Sequence, residues 1–340
     1  MMKNILKSLV AGQTLSESEM QAAVSAIMSG EADAAQIGAL LALLANREPT
    51  VDELVGVARV MRRFVLPVEA PDEVIDTCGA GGAGSRLFNI STTAAIVAAA
   101  CGVPVAKHGN RAVTSRSGSA DVLAALGVNV EAPPAVQTRC LQEINICFAF
   151  AQRHHPSMKH VAAVRTSLGF ATIFNLIGPL TNPAGARKQL AGVPRPALTE
   201  KVLAALVRLG AARAMVVCGV DPLEGNLCEL SLAGKTHVSL FDGTESRSFA
   251  LVPEDVGLKT QSSESFCVDS PEASAQIVRE VLAGKKGAAR DIILLNAGAA
   301  LWVGEKAKSV REGIKKAAVA IDKGAGAHTL NELVRMTNAS

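Results

Sequence analysis

Asp76-Thr-Cys-Gly-Ala-Gly-Gly-Ala-Gly-Ser-Arg-Leu-Phe-Asn-Ile-Ser-Thr92 decides how this chain is read. The apolar pair Val74-Ile75 just before it marks the end of a strand, and Gly79, Gly81, Gly82 and Gly84 let the backbone bend through positive φ and approach a ligand closely. Asn89, Ser91 and Thr92 then open an alanine-rich helix, Thr93–Ala100, whose N–H groups and positive dipole end favour an anion. Shortly afterwards come Lys107-His-Gly-Asn-Arg111 and Ser115-Arg-Ser-Gly-Ser-Ala-Asp121. Lys107 and Arg111 add cations, Ser115, Ser117 and Ser119 add hydroxyls, and the predicted helix Ala120–Leu126 adds a second N-terminus. One glycine-rich turn would be an ordinary strand-to-helix connection. Two helix N-termini and a lysine in linked segments suit a pyrophosphate.

The 340 residues are 49% apolar, enough to bury a large core divided between two domains. No run of about 18 apolar residues occurs. Met1-Met-Lys-Asn-Ile-Leu-Lys7 lacks the apolar core of a signal peptide, so the sequence predicts no membrane partner and a cytoplasmic location. Cysteines 78, 101, 140, 147, 218, 228 and 267 are scattered without a CxxC pair and read as reduced core residues. A net charge of +3, 3% aromatics and no tyrosine argue against nucleic acid, leaving a small anionic ligand as the expected partner.

Residues 1–70 carry amphipathic helical patterns. Ser16 with Glu19 and Thr50 with Glu53 form capping boxes, Gly30 ends one helix, and Pro67 stops another. Beyond Val74 the pattern predicts short strands at 100–106, 146–151, 190–193, 214–218 and 292–295, alternating with helices such as 200–209 and 272–282. That alternation implies a mostly parallel sheet covered on both faces. The expected architecture is α/β: a small all-helical domain, 1–70, joined by a returning helical segment at about 159–185, and a larger α/β domain, 71–158 and 186–340. Its ligand cleft is expected at the hinge.

The blocks Asn89-Ile-Ser-Thr92, Lys107-His-Gly-Asn-Arg111, Ser117-Gly-Ser-Ala-Asp121, His155-Pro-Ser-Met-Lys-His-Val161 and Thr172-Ile-Phe-Asn-Leu-Ile-Gly-Pro-Leu-Thr-Asn-Pro-Ala184 resemble, in order and wording, the anthranilate phosphoribosyltransferase family. The resemblance spans nearly the whole chain. It implies a fold like the nucleoside phosphorylases and distinct from Rossmann-type phosphoribosyltransferases, a homodimer, Mg²⁺, and a step of tryptophan biosynthesis. In that step phosphoribose moves from phosphoribosyl pyrophosphate to the amine of anthranilate. Carried over position by position, it implies that phosphoribosyl pyrophosphate binds at Gly79, Gly81, Gly82, Asn89, Ile90, Ser91, Thr92, Lys107, Gly109, Asn110, Ser115 and Ser119. It places anthranilate at Gly79, Asn110 and Arg165, with His155 lining the acceptor's entry. A guanidinium fork matches a carboxylate in plane, which suits Arg165. The motif itself shows no dedicated general base.

Three polar places of the family's loop hold Ala80, Ala83 and Leu87 here, and its magnesium-binding Asp-Glu pair falls on Cys228-Glu229. A thiol is a poor ligand for Mg²⁺. The expected metal ligands are therefore Ser91 and Glu229, with Glu224 or Asp221 replacing the missing carboxylate and Cys228 a buried strand residue. Met158 and Phe174 read as core, and His154, His155 and His160 lack the partners of a zinc site. A nucleoside phosphorylase would need a Lys-His-Ser-Thr-Gly-Gly loop, which the sequence lacks. The remaining alternatives are a diverged, catalytically weak or silent paralogue, or one that takes another aromatic acceptor.

Overall fold

Both predicted capping boxes form. In a computed structural model describing residues 1–80, 84–112 and 116–339, Ser16 Oγ accepts the Glu19 N–H at 3.3 Å while Glu19 accepts the Ser16 N–H at 2.9 Å. Thr50 and Glu53 exchange the same pair of bonds at 3.2 and 2.9 Å. Glu53 is fully buried and also accepts the Leu15 N–H and the Arg47 guanidinium, so one carboxylate ties three chain segments together. The caps start α2 (Glu17–Met28) and α4 (Val51–Arg63), which pack with α1 (Met2–Val10) and α3 (Ala34–Ala45).

The second part of the chain is built on β1 (Ile75–Gly79), α5 (Ile90–Ala100), β2 (Val105–Gly109), α6 (Ser119–Ala125), α7 (Pro134–Ile144) and β3 (Ile146–Phe150). It continues through α8 (Ala151–His154), α9 (Lys159–Leu168), α10 (Ile173–Leu176), β4 (Lys188–Gly192), α11 (Leu198–Arg208), β5 (Arg213–Asp221), β6 (Gly225–Leu227), β7 (Thr236–Phe241) and β8 (Ser246–Leu251). It ends in α12 (Pro271–Leu282), α13 (Ala288–Val303), α14 (Val310–Asp322) and α15 (Ala325–Asn338). The sheet order is β3-β2-β1-β4-β5-β7-β8, parallel from β3 to β5, with β6, β7 and β8 antiparallel additions. The predicted α/β class with a small helical part and a mostly parallel sheet is therefore the observed one.

The returning segment contributes Val161, Ile173, Phe174 and Leu176 to one apolar core with Leu40, Leu41 and Met61 of the helical part. A second core lies between the sheet and α5, α13 and α15. Two strand expectations fail. Residues 292–295 lie inside α13, a buried helix apolar on nearly every side, so a four-residue apolar run within it imitates a buried strand. At 100–106, α5 runs to Ala100 and the strand begins only at Val105.

Chain order reverses at β1, which has β2 on one side and β4 on the other. Ligands of open parallel sheets bind outside the carboxyl ends of strands at such a switch point. Here those ends are Gly79 and Gly192, paired across β1 and β4. The backbone at Cys228 crosses directly over them: a Cβ on Gly192 would stand 1.7 Å from the Cys228 carbonyl oxygen, and one on Gly79 would stand 3.1 Å from Cys228 Cβ. Two glycines thus let the segment bearing Glu229 reach the switch point. Gly192→Ala should cost about 3 kcal/mol or more by urea unfolding, because backbone has to move. Gly38→Ala, in a helix with only Val164 at 3.8 Å, should be neutral or stabilising by up to about 1 kcal/mol. Equal losses in both variants would contradict this packing.

Candidate active site

A cleft of about 720 Å³ opens over these strand ends, walled by the β1 and β2 tips, the start of α5, the Cys228–Glu229 crossing, and α4, α9 and α10 of the helical side. Strand alternation sorts its floor. The register pairs Ile75 with Val105, so Thr77 and Lys107 share one face while Cys78 and His108 share the other.

On the first face Lys107 is buried, its Nζ donating to the Thr77 carbonyl at 2.7 Å and lying 3.4 Å from Ser91 Oγ. Burial pushes the lysine pKa down, offset by Cys78, Asp76 and Glu229. Glu229 lines the cleft, and burial raises its carboxyl to about 7, with Lys107 pulling the other way. Ser91 Oγ and the Glu229 carboxylate are hard oxygen donors lining the same cleft, a set that fits Mg²⁺. No side chain caps the first turn of α5. Asn89, at its N-cap position, instead donates Nδ2 to the Ser117 carbonyl at 3.0 Å and accepts the Ser117 and Ser274 hydroxyls on Oδ1 at 2.7 and 2.8 Å. Its amide therefore clips the Ser117 loop in place, while the Asn89 and Ile90 N–H groups go to Ser274 Oγ and the Phe88 carbonyl at 3.0 and 2.7 Å, so that Ser91 is the first-turn residue facing the cleft with its N–H not given to these partners.

Gly79, Asn89, Ile90, Ser91, Lys107, Gly109, Asn110 and Ser119 all lie in the cleft wall, as do Arg165, His155 and Glu229. Gly109 is required there, since its Cβ would lie 2.0 Å from Ser119 Oγ. Thr92 is buried behind the wall and does not line it. Gly81, Gly82, Ala83 and Ser115 lie outside the described residues.

Glu224 requires a correction. Its carboxylate accepts the Arg86 N–H at 2.7 Å, Nε at 3.1 Å and Nη2 at 2.8 Å, and it does not line the cleft. Asp221 is likewise spent, its Oδ1 accepting the Leu223 and Glu224 N–H groups. Neither replaces the missing carboxylate. Cys228 is buried, as expected, and Ala80 and Leu87 are packed in apolar surroundings.

On the helical side of the cleft, half-buried Arg165 donates Nη2 to Asn175 Oδ1 at 3.2 Å and sits 5.9 Å over the Phe174 ring. Among the described residues no carboxylate pairs with it, and burial lowers its pKa. Asn175 Oδ1 also accepts the Thr172 N–H at 2.9 Å, so a helix cap doubles as the brace of the guanidinium. Phe174 and Met158 belong to the apolar packing, as read from sequence, and also face the cleft.

His155 Nε2 lies 3.2 Å from His108 Nε2, and His108 Nδ1 lies 3.0 Å from the Gly178 carbonyl. A carbonyl only accepts, so His108 carries its proton on Nδ1 and takes the His155 N–H on Nε2. Burial holds both rings neutral, lowering His108 to about 4 and His155 to about 3. His154 is used structurally, between the Leu66 carbonyl and Gln137, and His160 is exposed. Sequence reading assigned no role to His108, Cys78 or Asn175. The first two become visible only once the β1–β2 register is known.

Comparison with known proteins agrees with this geometry. The family described as "Glycosyl transferase family, a/b domain" matches residues 71–327, and "Glycosyl transferase family, helical bundle domain" matches residues 3–65. An anthranilate phosphoribosyltransferase from Rubrobacter xylanophilus is 46% identical over 338 residues, covering 99% of this chain and 98% of that one. The crystal structure of the enzyme of that name from Thermus thermophilus superposes with a TM-score of 0.91 at 41% identity, covering 98% of this chain and 99% of the other. The Saccharomyces cerevisiae enzyme, solved in complex with PRPP (phosphoribosyl pyrophosphate) and Mg, gives a TM-score of 0.89 at 26% identity, covering 99% and 97%. No helix among the described residues is long and apolar enough to cross a membrane. By sequence and by fold, the chain belongs to the anthranilate phosphoribosyltransferase family of glycosyl transferases.

Proposed function

We propose that the chain transfers phosphoribose from phosphoribosyl pyrophosphate to the amine of anthranilate, the transferase step of tryptophan biosynthesis. One observation carries the reading. One cleft is lined both by buried Lys107, beside the start of α5, and by Arg165, a guanidinium with no acidic partner among the described residues, which supports a site for a phosphate and a carboxylate together.

Lys107 and Ser91 at the start of α5 hold the pyrophosphate oxygens, with Gly79, Gly109, Asn110 and Ser119 shaping the sugar-phosphate pocket. Ser91 and Glu229 would hold Mg²⁺, which supplies charge neutralisation to the departing pyrophosphate. Arg165, braced by Asn175, takes the acceptor carboxylate and points the amine at the anomeric carbon, while His155 and Asn110 flank the acceptor. An aromatic amine is nucleophilic while neutral, so positioning and leaving-group stabilisation carry the acceleration. Backbone amides and Lys107 stand in for the hydroxyls absent at Ala80 and Leu87. The same proposal divides the chain into 1–70 with 159–185 and 71–158 with 186–340. It also includes a homodimer through the N-terminal helices, where Met1 and Val10 are exposed.

Following anthranilate fluorescence with phosphoribosyl pyrophosphate and Mg²⁺ should show metal-dependent turnover, and absence of turnover from folded protein would refute the activity. Arg165→Ala should raise the anthranilate KM about 10- to 100-fold, the worth of a charge-assisted hydrogen bond, and leave the donor KM within about twofold. Equal changes in both would remove Arg165 from the acceptor site. Light scattering at micromolar concentration should give twice the 35.1 kDa chain mass, and a monomer mass would refute the dimer.

Glu229 adds a pH signature. Its carboxyl is raised in the folded state to about 7 from an ordinary 4.5, so its contribution to stability is complete below pH 4.5 and is lost as pH rises through 7. In metal-free buffer, Glu229→Gln should therefore melt a few degrees above wild type at pH 8 and level with it at pH 4.5. A variant that melts lower at pH 8 would show a net-stabilising carboxylate instead.

A further inference from the structure

The second face of the β1–β2 floor takes no part in the phosphate chemistry, yet it gathers three different metal-ligating groups. Alternation puts Asp76 and Cys78 on the same face of β1, and the parallel register sets His108 beside Cys78. All three are buried, and one ligand atom from each lies within 4.8 Å of the others. Asp76 is fully buried. Its Oδ1 accepts the Thr77 and His108 N–H groups at 2.7 and 3.1 Å, while among the described residues Oδ2 has no hydrogen-bond partner. Lys107 acts on the carboxylate only through space, so a buried oxygen is left able to take a directly bound cation. The Gly178 carbonyl holds the His108 ring through Nδ1–H, the outer hydrogen bond that orients a metal-ligating imidazole, and Nε2 is the ligating nitrogen, which an ion takes only by displacing the His155 N–H it now accepts.

We propose that Asp76, Cys78 and His108 form a binding site for a thiophilic divalent cation such as Zn²⁺, separate from the Ser91–Glu229 site for Mg²⁺. The donor set decides the ion class: thiolate, imidazole and carboxylate select Zn²⁺, Co²⁺ or Cd²⁺, whereas Mg²⁺ demands oxygen. Zn–S and Zn–N bonds of about 2.3 and 2.0 Å place tetrahedral ligand atoms about 3.5 Å apart, so small side-chain adjustments close the site. Cys78 Sγ now faces the Gly79 carbonyl at 3.5 Å. On binding, the thiol releases its proton to solvent and the thiolate takes the ion. Three protein ligands leave a fourth position, and Cys78 and His108 both face the cleft, so an ion seated there intrudes on the acceptor's space. Lys107 stays on the opposite face of the strand.

Co²⁺ titrated into the purified, metal-free protein without substrates should produce a thiolate-to-cobalt charge-transfer band saturating at one ion per chain and displaced by Zn²⁺. Cys78→Ser should abolish the band, and His108→Asn should weaken Zn²⁺ at least tenfold in competition with a chromophoric chelator. Cys228→Ser, which removes the other thiol of the cleft wall, should change neither. Far-ultraviolet circular dichroism checks that each variant is folded. X-ray absorption of the zinc-loaded wild type, which needs no variant, should resolve one sulfur and nitrogen or oxygen ligands. Absence of a band, a band that survives Cys78→Ser but not Cys228→Ser, or a zinc shell with no sulfur or with two would overturn the proposal. Since no substrate is present, the result stands apart from the transferase reading.

Discussion

A buried ammonium has to find acceptors inside the protein, and Lys107 finds the Thr77 carbonyl at 2.7 Å. That bond joins neighbouring strands at the point where chain order in the sheet reverses, with the acidic groups of Asp76 and Glu229 close enough to act on the lysine. Removing one member of such a buried system leaves an uncompensated charge, so the surrounding backbone is constrained to keep them together. Gly79 and Gly192 admit the Cys228–Glu229 crossing, and Asp76 Oδ1 accepts the His108 N–H on the adjacent strand. The cleft is the opening that remains above this arrangement.

Period-two alternation does the rest. Thr77 and Lys107 turn toward the start of α5, while Cys78 and His108 turn toward Gly178. One pair of strands therefore presents an ammonium on one face and a thiol with an imidazole on the other. The departures from the family pattern fall into place on the same frame. Ala80 and Leu87 pack into the two cores and Cys228 is buried at the crossing, while all three also line the cleft.

Much of this was legible in the sequence where the signal was local. Ser16/Glu19 and Thr50/Glu53 announced two helices because a cap is written within four residues. The glycine at the tip of the first strand and Lys107 on the next were legible for the same reason, and both line the cleft. Features requiring a distant partner were not legible. Glu224 passed for a metal ligand because Arg86, which holds it, is 138 residues away. His108 and Asp76 were passed over because only the strand register brings them beside Cys78. Residues 292–295 misled for a different reason: inside a buried helix the polar face that would reveal the 3.6-residue period is missing.

The most direct test of this account is calorimetric titration of phosphoribosyl pyrophosphate into wild type and Lys107→Met, each with and without Mg²⁺. The account predicts Mg²⁺-assisted binding to wild type and its loss, at least a hundredfold, in a folded Lys107→Met protein. Undiminished binding to that variant would contradict the claim that the buried lysine at the switch point organises the site.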